Sequence, residues 1–228
     1  MSFRITLNLL LLLSCMIVTI VFNTSFAAPG SPSHRAHRTE ASLSGNYVNS
    51  AEIKFGGGSS LETQGDMGIL FSIGYNFDEH LALDFDWGYN SISFTGIRVD
   101  DPPTTTETFG GRVDVSSTRF NLIYNFLPKR LTPYVAANIG WSWIDSNVPS
   151  GPPGAGCWWD PWWGYICSGY QPTYGVTEFS YGASLGVRYD VSREVFLRGS
   201  IGREWLDNNK ATSKPEFDST RFDIGYLF

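Results

Sequence analysis

Three kinds of side chain in this sequence have the chemistry to act as a site. The first is histidine, present only at His34, His37 and His80. His34 and His37 are spaced to share a metal ion, but a metal centre needs three or four ligands in fixed geometry. Their surroundings, Ala28 to Thr39, are polar and proline-containing, so they are expected to be solvated and no metal site is expected. The second kind is cysteine. Cys157 and Cys167 bracket Trp158-Trp159-Asp160-Pro161-Trp162-Trp163, and in an exported chain such a pair suits a disulfide. The third is a set of charges at alternating positions: Asp84, Asp86, Glu178, Glu204 and Asp223, with Arg119, Arg188, Arg198 and Arg221. Similar numbers of both signs can pair into a lattice or line an ion path. Catalytic signatures are missing: there is no Gly-x-Ser-x-Gly elbow, no phosphate-cradling glycine loop and no metal-ligand cysteine spacing. No catalytic residue and no cofactor is expected.

The elements that carry these side chains alternate with period two. Met67, Ile69, Phe71, Ile73, Tyr75 and Phe77 are separated by Gly68, Leu70, Ser72, Gly74 and Asn76. Leu81, Leu83, Phe85, Trp87 and Tyr89 alternate with Ala82, Asp84, Asp86, Gly88 and Asn90, and the segment from Glu178 to Tyr189 repeats the pattern. Successive strand residues point to opposite faces, so one face is large and apolar and the other small, polar and charged. Five further segments fit: 41–48, 119–126, 133–143, 195–205 and 220–228. That predicts eight strands, with all nine of these charges on one face.

Connections alternate in length as well. Asp78–His80, Leu127–Thr132 and Asp190–Glu194 are short; the stretches near 50–66, 91–117, 145–177 and 207–218 are long and rich in Gly, Pro, Ser, Thr and Asp. A soluble sandwich gives no reason for this rhythm. A membrane-spanning barrel does, with short inner turns and long outer loops. The reading is therefore all-β: an eight-stranded antiparallel up-and-down transmembrane β-barrel. Eight strands enclose a bore just wide enough for side chains to fill. Buried charges must be paired there, which favours a salt-bridge lattice over an ion path.

The N-terminus agrees with export. Arg4 precedes an apolar run from Ile5 to Phe22, and Ser25-Phe26-Ala27 has small residues where a signal peptidase reads. Residues 1–27 are expected to be a signal peptide, 28–39 a flexible leader and 40–228 the barrel. The rival reading is a retained anchor of 18 residues. Cys15 resembles a lipoprotein site, but Met16-Ile17-Val18 continues the apolar run behind it. The 228 residues suit one domain, and a net charge of −6 without a basic cluster argues against nucleic acid as a partner.

The last strand carries the family signal. Phe222-x-Ile224-x-Tyr226-x-Phe228 resembles the assembly signal of bacterial outer-membrane proteins, and the chain from about 40 to 228 resembles the small barrels that include OmpA-like transmembrane domains, OmpW and opacity-type surface proteins. The resemblance implies residence in the cell outer membrane and contact with outer-membrane lipid, lipopolysaccharide and the barrel assembly machinery. Barrel enzymes of that membrane use a histidine near the outer rim; here His80 falls in a short inner turn and the other two precede the first strand. The expected function is a non-enzymatic surface barrel that supports the envelope and presents its loops. The alternatives are a narrow conduit for small or apolar molecules, as in OmpW, and a lipid-modifying enzyme. For Trp158, Trp159, Trp162 and Trp163 two readings stand: a binding surface for an outside ligand, or rings folded down over the barrel mouth.

Overall fold

A computed structural model of the chain describes residues 30–54, 60–100, 105–207 and 214–228. The expected signal peptide and its cleavage site after Ala27 lie outside the described residues. Within them every regular element is a strand: β1 (Thr39–Val48), β2 (Ala51–Lys54), β3 (Ser60–Thr63), β4 (Asp66–Asn76), β5 (Leu81–Asp100), β6 (Thr105–Asn125), β7 (Leu131–Pro149), β8 (Gly154–Asp160), β9 (Gly164–Tyr170), β10 (Thr173–Asp190), β11 (Val195–Leu206) and β12 (Glu216–Leu227).

Eight of these close a ring in the order β1-β4-β5-β6-β7-β10-β11-β12, each antiparallel to its neighbours. Closure falls between the first and last strands, with Ala41 opposite Tyr226 and Tyr47 opposite Thr220. A closed ring leaves no edge unpaired, which a strand structure in lipid requires. Outward residues are the apolar set read from the sequence. Along β5 the outward row runs Leu83, Phe85, Trp87 and Tyr89, all exposed in the isolated chain. From Leu81 to Tyr89 a tilted strand rises about 20 Å, close to the height of a barrel's lipid-facing band.

The three short turns have local causes. At Phe77–His80, Asp78 Oδ1 accepts from the amides of His80 (2.6 Å) and Leu81 (2.8 Å). At the β6–β7 turn, Thr132 Oγ1 accepts from Leu127 N at 2.9 Å. At the β10–β11 turn, Ser192 Oγ accepts from Glu194 N at 3.1 Å and Val195 N at 3.0 Å.

Two expectations need correction. Much of the stretches expected as long loops is strand. β5 and β6 stay paired up to Asp100 opposite Thr105, and β2 and β3 form a hairpin that adds to β5. The apolar parity switches there: Ile92 and Phe94 are buried on the inward face, Ser91, Ser93 and Thr95 take the outward positions, and only at Ile97 does an apolar side chain face out again. The segment expected as a flexible leader is tied down over its described part. Ser33 N donates to Pro128 O (3.3 Å), Arg130 N to Ser31 O (3.0 Å), and His37 N to Asn76 O (2.9 Å). These bonds draw residues 31–38 across the short-turn end of the barrel.

Candidate functional site: the charged lumen and the tryptophan hairpin

Inside the ring, charge is concentrated on β1, β5, β10, β11 and β12. Arg198 on β11 reaches Asp84 (2.8 Å), Glu40 (3.0 Å) and Asp223 (3.0 Å). Arg188 on β10 bonds Glu40 and Asp190, both at 2.8 Å. Arg221 on β12 pairs with Asp86 and Asp223. Higher up, Arg119 pairs with Glu204. Each strand contributes through its inward parity, so residues 158 positions apart meet across the bore. Both large guanidiniums also lie over the buried ring of Phe196, with Arg188 at 4.1 Å and Arg198 at 5.0 Å from its centroid. Phe196 fits there because Gly225 faces it; a Cβ at that position would come within 2.2 Å of the ring. The opposite wall is apolar and built from Ala82, Ile123, Tyr134 and Ala136.

Burying an ion costs several kcal/mol even after relaxation, so these charges are tolerable only in close, hydrogen-bonded pairs. Glu40 shows how far the pairing goes: besides the two arginines, its carboxylate accepts from Asn76 Nδ2 at 2.8 Å. The spaces left between the pairs are small. Among the described residues, lumen cavities of about 30 and 40 Å³ lie beside the paired charges, with room for waters.

Of the charges read from the sequence, Asp84, Asp86, Arg119, Arg188, Arg198, Glu204, Arg221 and Asp223 are brought into ion pairs. Glu178 is not: it stands opposite Ser142 near the outer end, with no ion pair among the described residues. Three members were missed. Glu40 lies one residue before the alternating run at Ala41, although its parity extends that run. Asp190 falls in what reads as a turn. Arg35 belongs to the supposed leader. It is fully buried at the inner mouth, where it pairs with Asp190 (3.3 Å) and donates to Glu79 O (2.8 Å) and Lys129 O (3.2 Å). Arg38 beside it donates to Phe228 O (3.0 Å) and Leu227 O (2.8 Å), linking the leader to the end of β12.

The outer end is built differently. β8 and β9 form a two-stranded hairpin with a sheet of its own, closed by the disulfide Cys157–Cys167. Asp160 Oδ1 accepts from the amides of Trp162 (2.8 Å) and Trp163 (3.0 Å), and Gly164 supplies the left-handed φ of 75° that turns the chain back. Trp158, Trp159, Trp162 and Trp163 are all solvent-exposed, so they do not fold down as a lid. The histidines sit far from this end: His34 and His37 in the inner segment and His80 in the β4–β5 turn, its Nδ1 2.7 Å from Asn125 O. Among the described residues no three metal-ligating side chains gather.

A closed eight-strand ring with a lipid-facing apolar band and a charge-paired interior defines an integral outer-membrane β-barrel. The family model described as outer membrane protein beta-barrel domain matches residues 18–228, and the chain belongs to that family. It resides in the cell outer membrane. Among solved structures it is similar in fold to the outer membrane protein OprG of Pseudomonas aeruginosa, at 12% identity and a TM-score of 0.50, covering 86% of this chain and 98% of that one. The N-terminal β-barrel domain of Pseudomonas aeruginosa OprF is 18% identical with a TM-score of 0.41, covering 85% and 98%. The attachment invasion locus protein Ail of Yersinia pestis is 9% identical with a TM-score of 0.45, covering 85% and 99%. No curated protein matches the sequence.

Proposed function

We infer that this barrel is a non-conducting, non-enzymatic anchor that contributes to envelope structure and presents its outer hairpins for interaction. The observation that carries this reading is the ion-pair network across the bore, from Arg35–Asp190 at the inner mouth to Arg119–Glu204 near the outer end. An ion entering the lumen would have to displace paired charges whose separation costs several kcal/mol. On this reading the barrel's partners are outer-membrane lipid and lipopolysaccharide around the band, the assembly machinery at β12, and a surface ligand at the tryptophan hairpin.

The test is planar-bilayer recording of the refolded protein. The expected result is a silent bilayer for the wild type. Reproducible unitary conductance would overturn the reading in favour of a narrow conduit. A change in lipid A mass on expression would overturn it in favour of a lipid-modifying enzyme.

A further inference from the structure

The tryptophan hairpin has features that narrow its ligand. Trp158, Trp159, Trp162 and Trp163 are 50%, 71%, 88% and 80% exposed, and Tyr165 is 70% exposed. Register places Trp159 opposite Tyr165 and, two residues along on the same face, Cys157 opposite Cys167; Trp158 opposite Ile166 occupies the other face. Trp162 and Trp163 form the tip. The hairpin is therefore apolar on both faces and at its end. A protein groove or a stacked sugar would satisfy one face and leave the other in water.

Polar chemistry points the same way. Between Ser150 and Pro172 the only charged residue is Asp160, and its Oδ1 is occupied by the turn amides. Recognition of a glycan requires placed polar groups beside the aromatic platform, and an acidic or basic partner requires a charge to meet. Here Asp160 is the single charge, with Oδ1 of its carboxylate taken by the turn amides, and the Ser168 hydroxyl and Gln171 amide are turned to backbone carbonyls. Tryptophan surrounded on all sides by a mixed polar and apolar medium is the situation of the membrane–water interface.

This aromatic zone is distinct from the barrel's own lipid-facing belt. The belt ends on β7 at Trp143. Above it the ribbon is held by polar contacts: Thr173 Oγ1 to Asp145 (2.8 Å), Ser146 Oγ to Tyr174 O (2.9 Å), and Gln171 Nε2 to Gly151 O (2.6 Å). Tyr174 is the one exposed ring in this neck among its described residues. A polar neck between two aromatic zones suits a tip that meets a second surface beyond the headgroups of its own membrane.

We propose that the β8–β9 hairpin inserts its tryptophan tip into the interfacial layer of an apposed lipid bilayer, docking the barrel's outer face to a neutral membrane. The inference rests on the reading of the barrel as a presenting anchor. Rigidity from the disulfide and the Asp160 turn holds the five rings at one end, so little ordering entropy is lost on insertion.

The experiment uses the full barrel in phosphatidylcholine nanodiscs, mixed with phosphatidylcholine vesicles whose acyl chains carry bromine. Expected are quenching of tryptophan fluorescence and co-flotation of discs with vesicles. Both should change little between about 50 mM and about 500 mM NaCl, because Asp160 is the hairpin's single charge and a neutral membrane offers it no net counter-charge. The variant W158S/W159S/W162S/W163S, with barrel folding checked by heat-modifiable migration, should lose partitioning on the order of 100-fold, the scale set by the aromatic area no longer buried. If that variant fails to fold, W162S/W163S at the exposed tip replaces it, with a smaller loss expected. No quenching by added vesicles overturns the proposal. So does quenching only when bromine is placed in the disc's own lipid, which would put the hairpin on its own membrane, or binding that salt abolishes. Failure here with silent planar bilayers removes the lipid-docking tip and leaves the anchor reading; conductance together with vesicle quenching does the opposite.

Discussion

Glu40 and Arg198 illustrate how unequal two members of one network can be. Five connected carboxylates (Glu40, Asp84, Asp86, Asp190 and Asp223) face four guanidiniums (Arg35, Arg188, Arg198 and Arg221). Removing one carboxylate balances the cluster, whereas removing one guanidinium worsens its deficit. Glu40→Gln keeps the shape but removes the charge and turns one of the two acceptor oxygens into a donor, and the remaining acids compensate in part; a loss of about 2 kcal/mol is expected. Arg198→Met strands Asp84, Asp223 and Glu40 close together without their shared cation, and about 3–5 kcal/mol is expected. Urea unfolding of the two variants in the same lipid, followed by tryptophan fluorescence, checks the order. Equal midpoints would contradict the account of the network given above.

Among the elements, the β4–β5 turn is one whose stability is expected to depend on pH. Backbone amides of Leu81, first, and His80 hold the Asp78 carboxyl below its usual range. A carboxylate with a depressed folded pKa contributes stability at pH values above its unfolded pKa, and the contribution is lost as pH falls through the folded value. Amide hydrogen exchange at His80 and Leu81 is therefore expected to be slow at neutral pH. Opening should become easier as pH drops below about 4, the ordinary aspartate range. Asp78→Ala should open the turn at all pH values and remove that dependence, while Asp78→Asn should retain one acceptor and an intermediate protection. Exchange in Asp78→Ala indistinguishable from wild type would show that the turn is held by its strands alone.

The whole molecule is closed where β1 meets β12, and the chain end is part of that seam. Phe228 N donates to Thr39 O at 2.8 Å, its carbonyl accepts from Arg38, and its ring packs edge-on against Tyr226 at 5.2 Å. Phe222, Tyr226 and Phe228 face outward with exposed rings, while Leu227 is buried inside. Deleting Phe228 removes one rung and one outward ring from an otherwise intact ladder. The expected effect is on assembly: less heat-modifiable barrel in the outer membrane and more aggregate in the periplasm, with the urea midpoint of the inserted fraction close to wild type. Unchanged insertion yield would show that the last residue is dispensable.

How much of this was legible beforehand follows from the range of each signal. Period-two alternation is local, so the eight strands, their inward and outward faces, the turn lengths and the terminal aromatic row could all be read from the chain. The cysteine pair and its four tryptophans were visible for the same reason. What alternation cannot carry is partnership. It placed Glu178 and Arg198 on the inner face alike, yet only the height at which each strand crosses the ring decides that Arg198 meets three carboxylates while Glu178 meets no cation among the described residues. Arg35 and Asp190 lie outside any alternating run, and their burial depends on residues 31–38 crossing the inner mouth, a contact between segments about 90 to 155 positions apart. The tryptophan hairpin likewise became a two-faced projection only through its register. Faces are set by the neighbouring residue along the chain and are therefore written in the sequence. The pairing of charges across the bore is set by stagger and closure of the ring, which only the tertiary structure decides.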